Sequence, residues 1–377
     1  MPARVLFVSK PIVAPFFDGT KCVVRDVATH LARYAPIVMG TALPPGPELA
    51  ARAGGPAVRV ASVYGAGGSY APSLAENARA AVWLLALSRA EVWHFVFAPN
   101  PRTSLTGRLA RAVRRVPVLQ TVASPPASFS PDLFFGDVVV AQSAFTASHI
   151  GRCFRDAGRA PPRVEVIPPP IGHLRERTGD EISRVRRTLD LTQGAPVFVY
   201  PGDLEVSRGA ETVAEAVGPI VKELPDAVVV FACRPKTADA PRIEQALRSR
   251  LNPRSVRFAR ETDLLALLAT TSVVLFPVDD LRGKVDLPIA LLEAMKLGVP
   301  VVAVDRGPLS ELEGVERVPV GDAASLARAA TRLVRDTNHR AELVARARTA
   351  VERRYEARMV AGAYECLYDD LLRRVPR

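Results

Sequence analysis

At 377 residues the chain is long for one hydrophobic core and predicts about two domains. Its 48% hydrophobic and 24% charged composition is that of a core-forming soluble protein; no apolar run nears the ~20 residues that span a bilayer, and four scattered cysteines (Cys22, Cys153, Cys233, Cys366) argue against a disulfide framework or a paired-cysteine zinc site. The net charge of +11 admits an anionic partner, but the arginines are spread over helix-length segments without a nucleic-acid motif, so solvated helix faces in a reducing, cytoplasmic setting are the expectation.

The N-terminal MPARVLFVSKP has an apolar core of about five residues, too short for the centre of a signal peptide, and reads as a first strand. Short apolar runs then alternate with amphipathic segments. Strands are predicted near 4–9, 36–41, 57–63, 91–97, 116–122, 137–141 and 163–167, with helices near 20–34, 73–89, 103–114 and 143–157. At IPPPIGHLRERTGD, 167–180, the rhythm stops: three consecutive prolines cannot continue a helix and predict an interdomain linker. It restarts with strands near 196–200, 227–233, 255–258, 272–277, 299–304 and 315–319 and helices near 209–223, 239–250, 261–269, 287–297, 308–313 and 323–336; a basic helical tail follows over 340–374. This is the α/β pattern of two doubly wound Rossmann-like domains facing a central cleft, with ligands expected at the carboxyl ends of the strands. The expected division is 1–170, 171–355 and a last helix, 356–377, packing back on the first domain.

Four loops hold residues suited to an anionic ligand. After the first strand, Asp18, Gly19 and Thr20 stand where the chain turns into a helix; Gly19 lets backbone amides approach a phosphate, and the alternative is plain capping by Asp18 or Thr20. In VFVYPGDLEVSRGAETVAEAV, 197–217, Gly202 and Gly209 bracket a loop in which Arg208 precedes a helix, so charge and helix dipole favour the same anion. Arg234 and Lys236 follow another strand; the alternative for each is a surface cation. Finally Lys284 and Asp286 precede a helix that Pro288 opens, with the amides of Ile289 and Ala290 in its first turn and Glu293 among apolar neighbours further on. Glu293 either accepts hydrogen bonds from nucleotide hydroxyls or reaches solvent.

The ordered series G-D-L-x-x-x-R-G-A-E-T (202–212), L-F-P (275–277), P-I-A-L-L-E-A-M-x-L-G-V-P-V-V (288–302) and G-P-L-S-E-L (307–312) resembles the family-4 retaining glycosyltransferases of GT-B fold. F-x-D-G-T (16–20) and V-x-V-I-P (164–168) agree in order, so the resemblance covers essentially the whole chain. It implies transfer of a sugar from a UDP- or GDP-sugar to a hydroxyl of a saccharide or lipid-linked acceptor with retention, as in polysaccharide biosynthesis. The second domain then holds the donor and the first the acceptor; no metal or cofactor is implied, and no nucleic acid. By the same resemblance Arg208 and Lys284 meet the diphosphate and Glu293 the ribose. His94 matches a histidine often seen at that strand; the alternative is a hydrogen-bonded core residue.

Three departures accompany the resemblance. Asp203 replaces an arginine of the family's phosphate loop, Val285 stands where a sugar-binding glutamate is usual with Asp286 one position later, and Ala123 replaces a histidine near the reacting sugar. They motivate an alternative, a non-catalytic GT-B protein that binds nucleotide or glycan and acts through partners; nucleotide-sugar epimerisation is a third. The basic helices, including 340–374, add the expectation of peripheral contact with an anionic membrane on its inner face.

Overall fold

The computed structural model describes residues 2–374 apart from 17, 44–45, 51–53, 66–72, 87, 173, 236 and 261. The chain divides into two compact units: Met1–Gly172 with Arg282–Ile289 and Arg354–Arg377, and His173–Leu281 with Ala290–Arg353.

In the first unit, strands β1 (Arg4–Val8), β2 (Ala35–Gly40), β3 (Arg59–Ser62), β4 (Val92–Phe97), β5 (Val118–Val122), β6 (Val138–Ala141) and β7 (Arg163–Val166) form one sheet in the order β3-β2-β1-β4-β5-β6-β7. Each pair is parallel. A parallel sheet is covered on both faces, which is why consecutive residues of β1 (Val5, Leu6, Phe7) and of β6 (Val138 to Ala141) are all fully buried. Helices α1 (Gly19–His30), α2 (Leu74–Ala86), α3 (Pro101–Arg114) and α4 (Ala144–Asp156) make the crossovers. Their starts are chemically marked: Asp18, Asn100 and Ser143 each accept a hydrogen bond from the amide three residues on.

The second unit contains α5 (Gly179–Thr188), β8 (Val197–Tyr200), α6 (Gly209–Glu223), β9 (Val228–Phe231), α7 (Ala240–Arg250), β10 (Val256–Phe258), α8 (Leu264–Leu268) and β11 (Val273–Phe276). After the 282–289 segment come α9 (Ile289–Leu297), β12 (Val301–Val304), β13 (Glu316–Val318), α10 (Ala323–Arg335) and α11 (Thr337–Arg354). Its six parallel strands run β10-β9-β8-β11-β12-β13. The chain ends with α12 (Ala357–Arg374), which packs on α1 and on β4 and β5 of the first unit. The fold is therefore α/β with two doubly wound, Rossmann-like parallel sheets, as the alternating pattern predicts.

Two local expectations change, and a long-range contact accounts for a break in the tail. Helix α5 follows the proline run, opened by a capping box in which Thr178 and Glu181 each bond the other's backbone amide. The segment expected as a helix at 308–313 is one 3-10 turn, Gly307–Glu311. The tail is two helices, because the backbone at Tyr355 and Ala357 bonds that of Ile171 (2.7 and 3.1 Å) and so cannot continue the α-helical ladder.

Candidate functional site

In both sheets the strand order reverses beside the first strand of the unit, between β1 and β4 and between β8 and β11. Open parallel sheets bind ligands outside the carboxyl ends of the strands at such a switch point. The loops that follow β1 and β8 are those singled out around Gly19 and Gly202–Gly209.

In the second unit the β8–α6 loop is built around Tyr200. This residue is fully buried, and its hydroxyl donates to the carbonyl of Asp203 at 2.8 Å. A Cβ at Gly202 would overlap the Tyr200 ring, and one at Gly209 would lie 2.7 Å from its hydroxyl and 2.9 Å from Val278. Both glycines thus make room for a core tyrosine. Asp203 is fully buried as well, and its Oδ1 accepts from the Val206 amide at 3.0 Å, so this acid organises the loop from within. Arg208 immediately precedes α6. Its backbone amide donates to Asp279, in the loop after β11, at 3.2 Å, which ties together the two loops of the switch point. Its carbonyl starts the helical ladder at Thr212, and its side chain is exposed, with no hydrogen bond or ion pair among the described residues. A guanidinium thus stands beside the positive end of a fifteen-residue helix.

Arg234 is exposed beyond β9; Lys236 lies outside the described residues. Glu293 is the fifth residue of α9 and half-buried, while Leu291, Leu292, Ala294 and Met295 around it are fully buried. Gly298, at a φ of +79°, ends that helix in the left-handed region expected of a terminal glycine.

In the first unit the segment 282–289 comes to lie against the head of α1. A Cβ at Gly19 would sit 2.8 Å from Cγ1 of Val285, so the glycine admits the valine that stands in place of the expected glutamate. Asp286 is fully buried and accepts from the Ser143 hydroxyl at 2.6 Å, at the start of α4. Asp18 both caps α1, accepting from the Lys21 amide at 3.2 Å, and pairs with Lys10 at 2.9 Å. Thr20 and Ile289 are buried; Ala290 is half-buried. Lys284 is also half-buried, and desolvation lowers its pKa to about 8.

Of the two readings of His94, the structure shows the hydrogen-bonded core residue. It is fully buried, Nδ1 lies 2.7 Å from the Tyr368 hydroxyl and Nε2 2.7 Å from the Thr121 hydroxyl, and burial pushes its pKa down to about 3. Sequence reasoning did not pick out Tyr200, Ser143 or Asp279. Ser143 was legible as an N-cap before an amphipathic run; Asp279 had no signal beyond following a strand. Among the described residues no helix is long and apolar enough to cross a membrane, and no group of three His, Cys, Asp or Glu is placed to hold a metal ion.

Residues 195–336, most of the second unit, match the family model for glycosyl transferases group 1. A curated relative, N-acetyl-alpha-D-glucosaminyl L-malate synthase of Bacillus anthracis, is 21% identical over 197 residues. That match covers 51% of this chain and 50% of the relative, so the chain spans about half the length of the curated protein it matches. Among solved structures, sucrose-phosphate synthase from Thermosynechococcus elongatus is similar with a TM-score of 0.74 at 19% identity, covering 99% of this chain and 100% of that one. Anabaena HepE in complex with UDP-glucose gives 0.69 at 17% identity, with 97% and 99% covered. The chain thus has the two-unit GT-B type of fold of these structures, and its residues 195–336 carry the sequence pattern of the glycosyl transferases of group 1.

Proposed function

We propose that the protein is a retaining glycosyltransferase that moves a sugar from a UDP- or GDP-sugar to a hydroxyl of a saccharide or lipid-linked acceptor. The observation that carries this reading is the exposed, unpaired guanidinium of Arg208 at the start of α6, at the switch point of the unit whose sequence matches the glycosyl transferases. Arg208 and the first turn of α6 take the donor's diphosphate, as charge and dipole favour. Lys284 and Arg234 supply further positive charge, the first-turn amides of α1 at Gly19 and of α9 at Ile289 and Ala290 are polar contacts for the donor, and Glu293 accepts from ribose hydroxyls. The bond between the sugar's anomeric carbon and the diphosphate oxygen breaks while the acceptor oxygen bonds to that carbon from the same face. The acceptor's proton passes to the departing phosphate, so the protein's work is to position reactants and stabilise the leaving charge. His94 takes no part in this reading, since both its nitrogens are bonded inside the first unit.

A second reading, nucleotide or glycan binding without turnover, is favoured by Val285 and Asp286. The valine packs on Gly19 and the aspartate is tied to Ser143, so the usual sugar-binding carboxylate has no direct replacement. Calorimetry with UDP and GDP, followed by assays of nucleotide release from a panel of UDP- and GDP-sugars, separates the two. UDP-glucose, which HepE holds in its solved complex, is the first donor to try. Arg208→Ala is expected to weaken nucleotide binding about 10- to 100-fold, the loss of one charge-assisted hydrogen bond, with no change in thermal midpoint. Binding without release or transfer supports the second reading, and absence of nucleotide binding sinks both.

A further inference from the structure

In the second unit, the turn that leads into the edge strand β13 and one face of α11 enclose a groove of about 530 Å3. A glycine sets how closely the two walls meet. Gly314 has a φ of +72°, and a Cβ there would overlap the backbone of Arg346 and Ala347, so the turn touches the helix backbone to backbone. Helix α11 lends Ala345, Arg346, Thr349, Ala350 and Arg353 to the lining, one face at helical spacing. Between its two arginines the side chains are small, which leaves the space open.

Three guanidinium groups line the groove, Arg317 from β13 and Arg346 and Arg353 from α11, with one carboxylate, Glu313. Arg317 is fixed: Nη1 pairs with Asp305 at 2.9 Å, and Nη2 donates to the carbonyls of Ser310 and Leu312 at 2.6 and 3.0 Å. Arg353 meets Glu313 through Nη2 alone, at 3.0 and 2.9 Å from its two oxygens. Nε of Arg317 and Nε and Nη1 of Arg353 are left without an acceptor among the described residues. Arg346 is exposed and makes no hydrogen bond or ion pair among the described residues, and Glu342, one turn earlier on α11, does not pair with it. With Asp305 and Glu313 both counted, the groove keeps one uncompensated positive charge and several unused donors that converge on one space.

We propose that this groove is a ligand site separate from the donor site, taking a small organic molecule through a phosphate monoester. The phosphate meets Arg346 and the unused nitrogens of Arg353 and Arg317, and the organic part lies along Ala345, Thr349 and Ala350. Phosphate is favoured over carboxylate because it presents three acceptor oxygens, whereas a carboxylate's two are taken up by a single guanidinium fork. The volume is in the range of small-molecule sites, several times what the phosphate itself fills. None of the lining residues belongs to the loops after β8, β9 and β11 or to the start of α9.

The test needs no nucleotide and is independent of the transferase reading. Binding of glycerol 3-phosphate, inorganic phosphate and acetate to the full chain is followed by calorimetry at low salt, in the parent and in Arg208→Ala, which lacks the donor-side guanidinium. Both phosphates are expected to bind in both proteins, and acetate at least about tenfold more weakly than glycerol 3-phosphate. Arg346→Ala is expected to lower phosphate affinity about tenfold, the loss of one charge-assisted contact, and to leave UDP and GDP affinity unchanged. Thr349→Glu, which sets a carboxylate between the two arginines of α11, is expected to abolish binding of both phosphates. Both side chains are exposed, so both variants keep the parent thermal midpoint. Arg328→Ala, on α10 and outside the lining, is expected to bind as the parent does. The proposal is overturned if Arg208→Ala binds neither phosphate, if Arg346→Ala and Thr349→Glu bind like the parent, if acetate binds as tightly as glycerol 3-phosphate, or if Arg328→Ala loses as much affinity as Arg346→Ala.

Discussion

Lys284 shows how a single residue's surroundings set its chemistry. Desolvation disfavours the ammonium, which brings the pKa from 10.5 to about 8. Below pH 8 both the folded and unfolded chains carry this proton and the burial penalty is complete; it relaxes as pH rises from about 8 to 10.5, where only the unfolded chain still binds the proton. In the apo protein this residue therefore makes stability rise with pH across that window, and Lys284→Met, which removes the penalty, is expected to flatten the rise in urea denaturation series. A diphosphate at Lys284 has the opposite pull, holding the proton on. Nucleotide affinity is then expected to fall above pH 8 and binding there to take up a proton, seen as a dependence of the calorimetric enthalpy on buffer; Lys284→Arg removes both effects. Unchanged affinity between pH 7 and 9.5 would remove Lys284 from the donor site. His94, neutral throughout this range, contributes no inflection.

The β8–α6 connection illustrates what an element demands of its glycines. Gly202 carried a legible signal, since a glycine in a strand-to-helix turn allows close approach, but the approaching group is the Tyr200 ring inside the unit. The sequence states that something comes close and is silent on what does. Gly202→Ala forces the ring or the loop to move, and a loss of about 1–3 kcal/mol is expected in urea denaturation, typical of overpacking. Gly179, the first residue of α5, meets nothing within 4 Å, so Gly179→Ala is expected to stay within about 0.5 kcal/mol of the parent. Equal losses at the two positions would mean the ring contact is not what requires glycine. Helix α5 itself was readable from T-x-x-E at 178–181; the preceding prolines masked it. The backbone contact that breaks the tail was not readable, because it is made with Ile171, nearly 190 residues earlier.

Across the molecule, α12 completes the first unit although it is last in the chain. Its Glu365, 5% exposed, accepts from the amides of Ala32 and Arg33 at 2.8 and 2.7 Å and so satisfies two backbone donors of the turn that follows α1. Tyr368 and Tyr364, both fully buried, close the hydrogen-bonded group around His94 and Thr121. Glu365→Ala strands two amides, while the half-exposed Arg33 guanidinium keeps its ion pair with Asp369, and a loss of about 1–3 kcal/mol is expected. Hydrogen exchange locates it: amides of α1 and α12 are expected to lose protection while β8 and β11 of the second unit keep theirs. Uniform loss in both sheets would contradict the assignment of α12 to the first unit.

By itself the sequence determined most of the succession of strands and helices, the parallel class of both sheets and the positions of the strand-to-helix loops. Periodicity and chain order carry that information, because burial on two faces writes apolar runs and covered helices write a 3.6-residue period. Only the tertiary structure decided what each marked residue faces. It showed that Val285 rests on Gly19, that Asp203 and His94 are bonded inside their own units, and that Arg317, Arg346 and Arg353, apart in the chain, line one groove. A residue's type limits the chemistry it can perform, but its partners come from packing between segments far apart in the chain, and no local pattern records them.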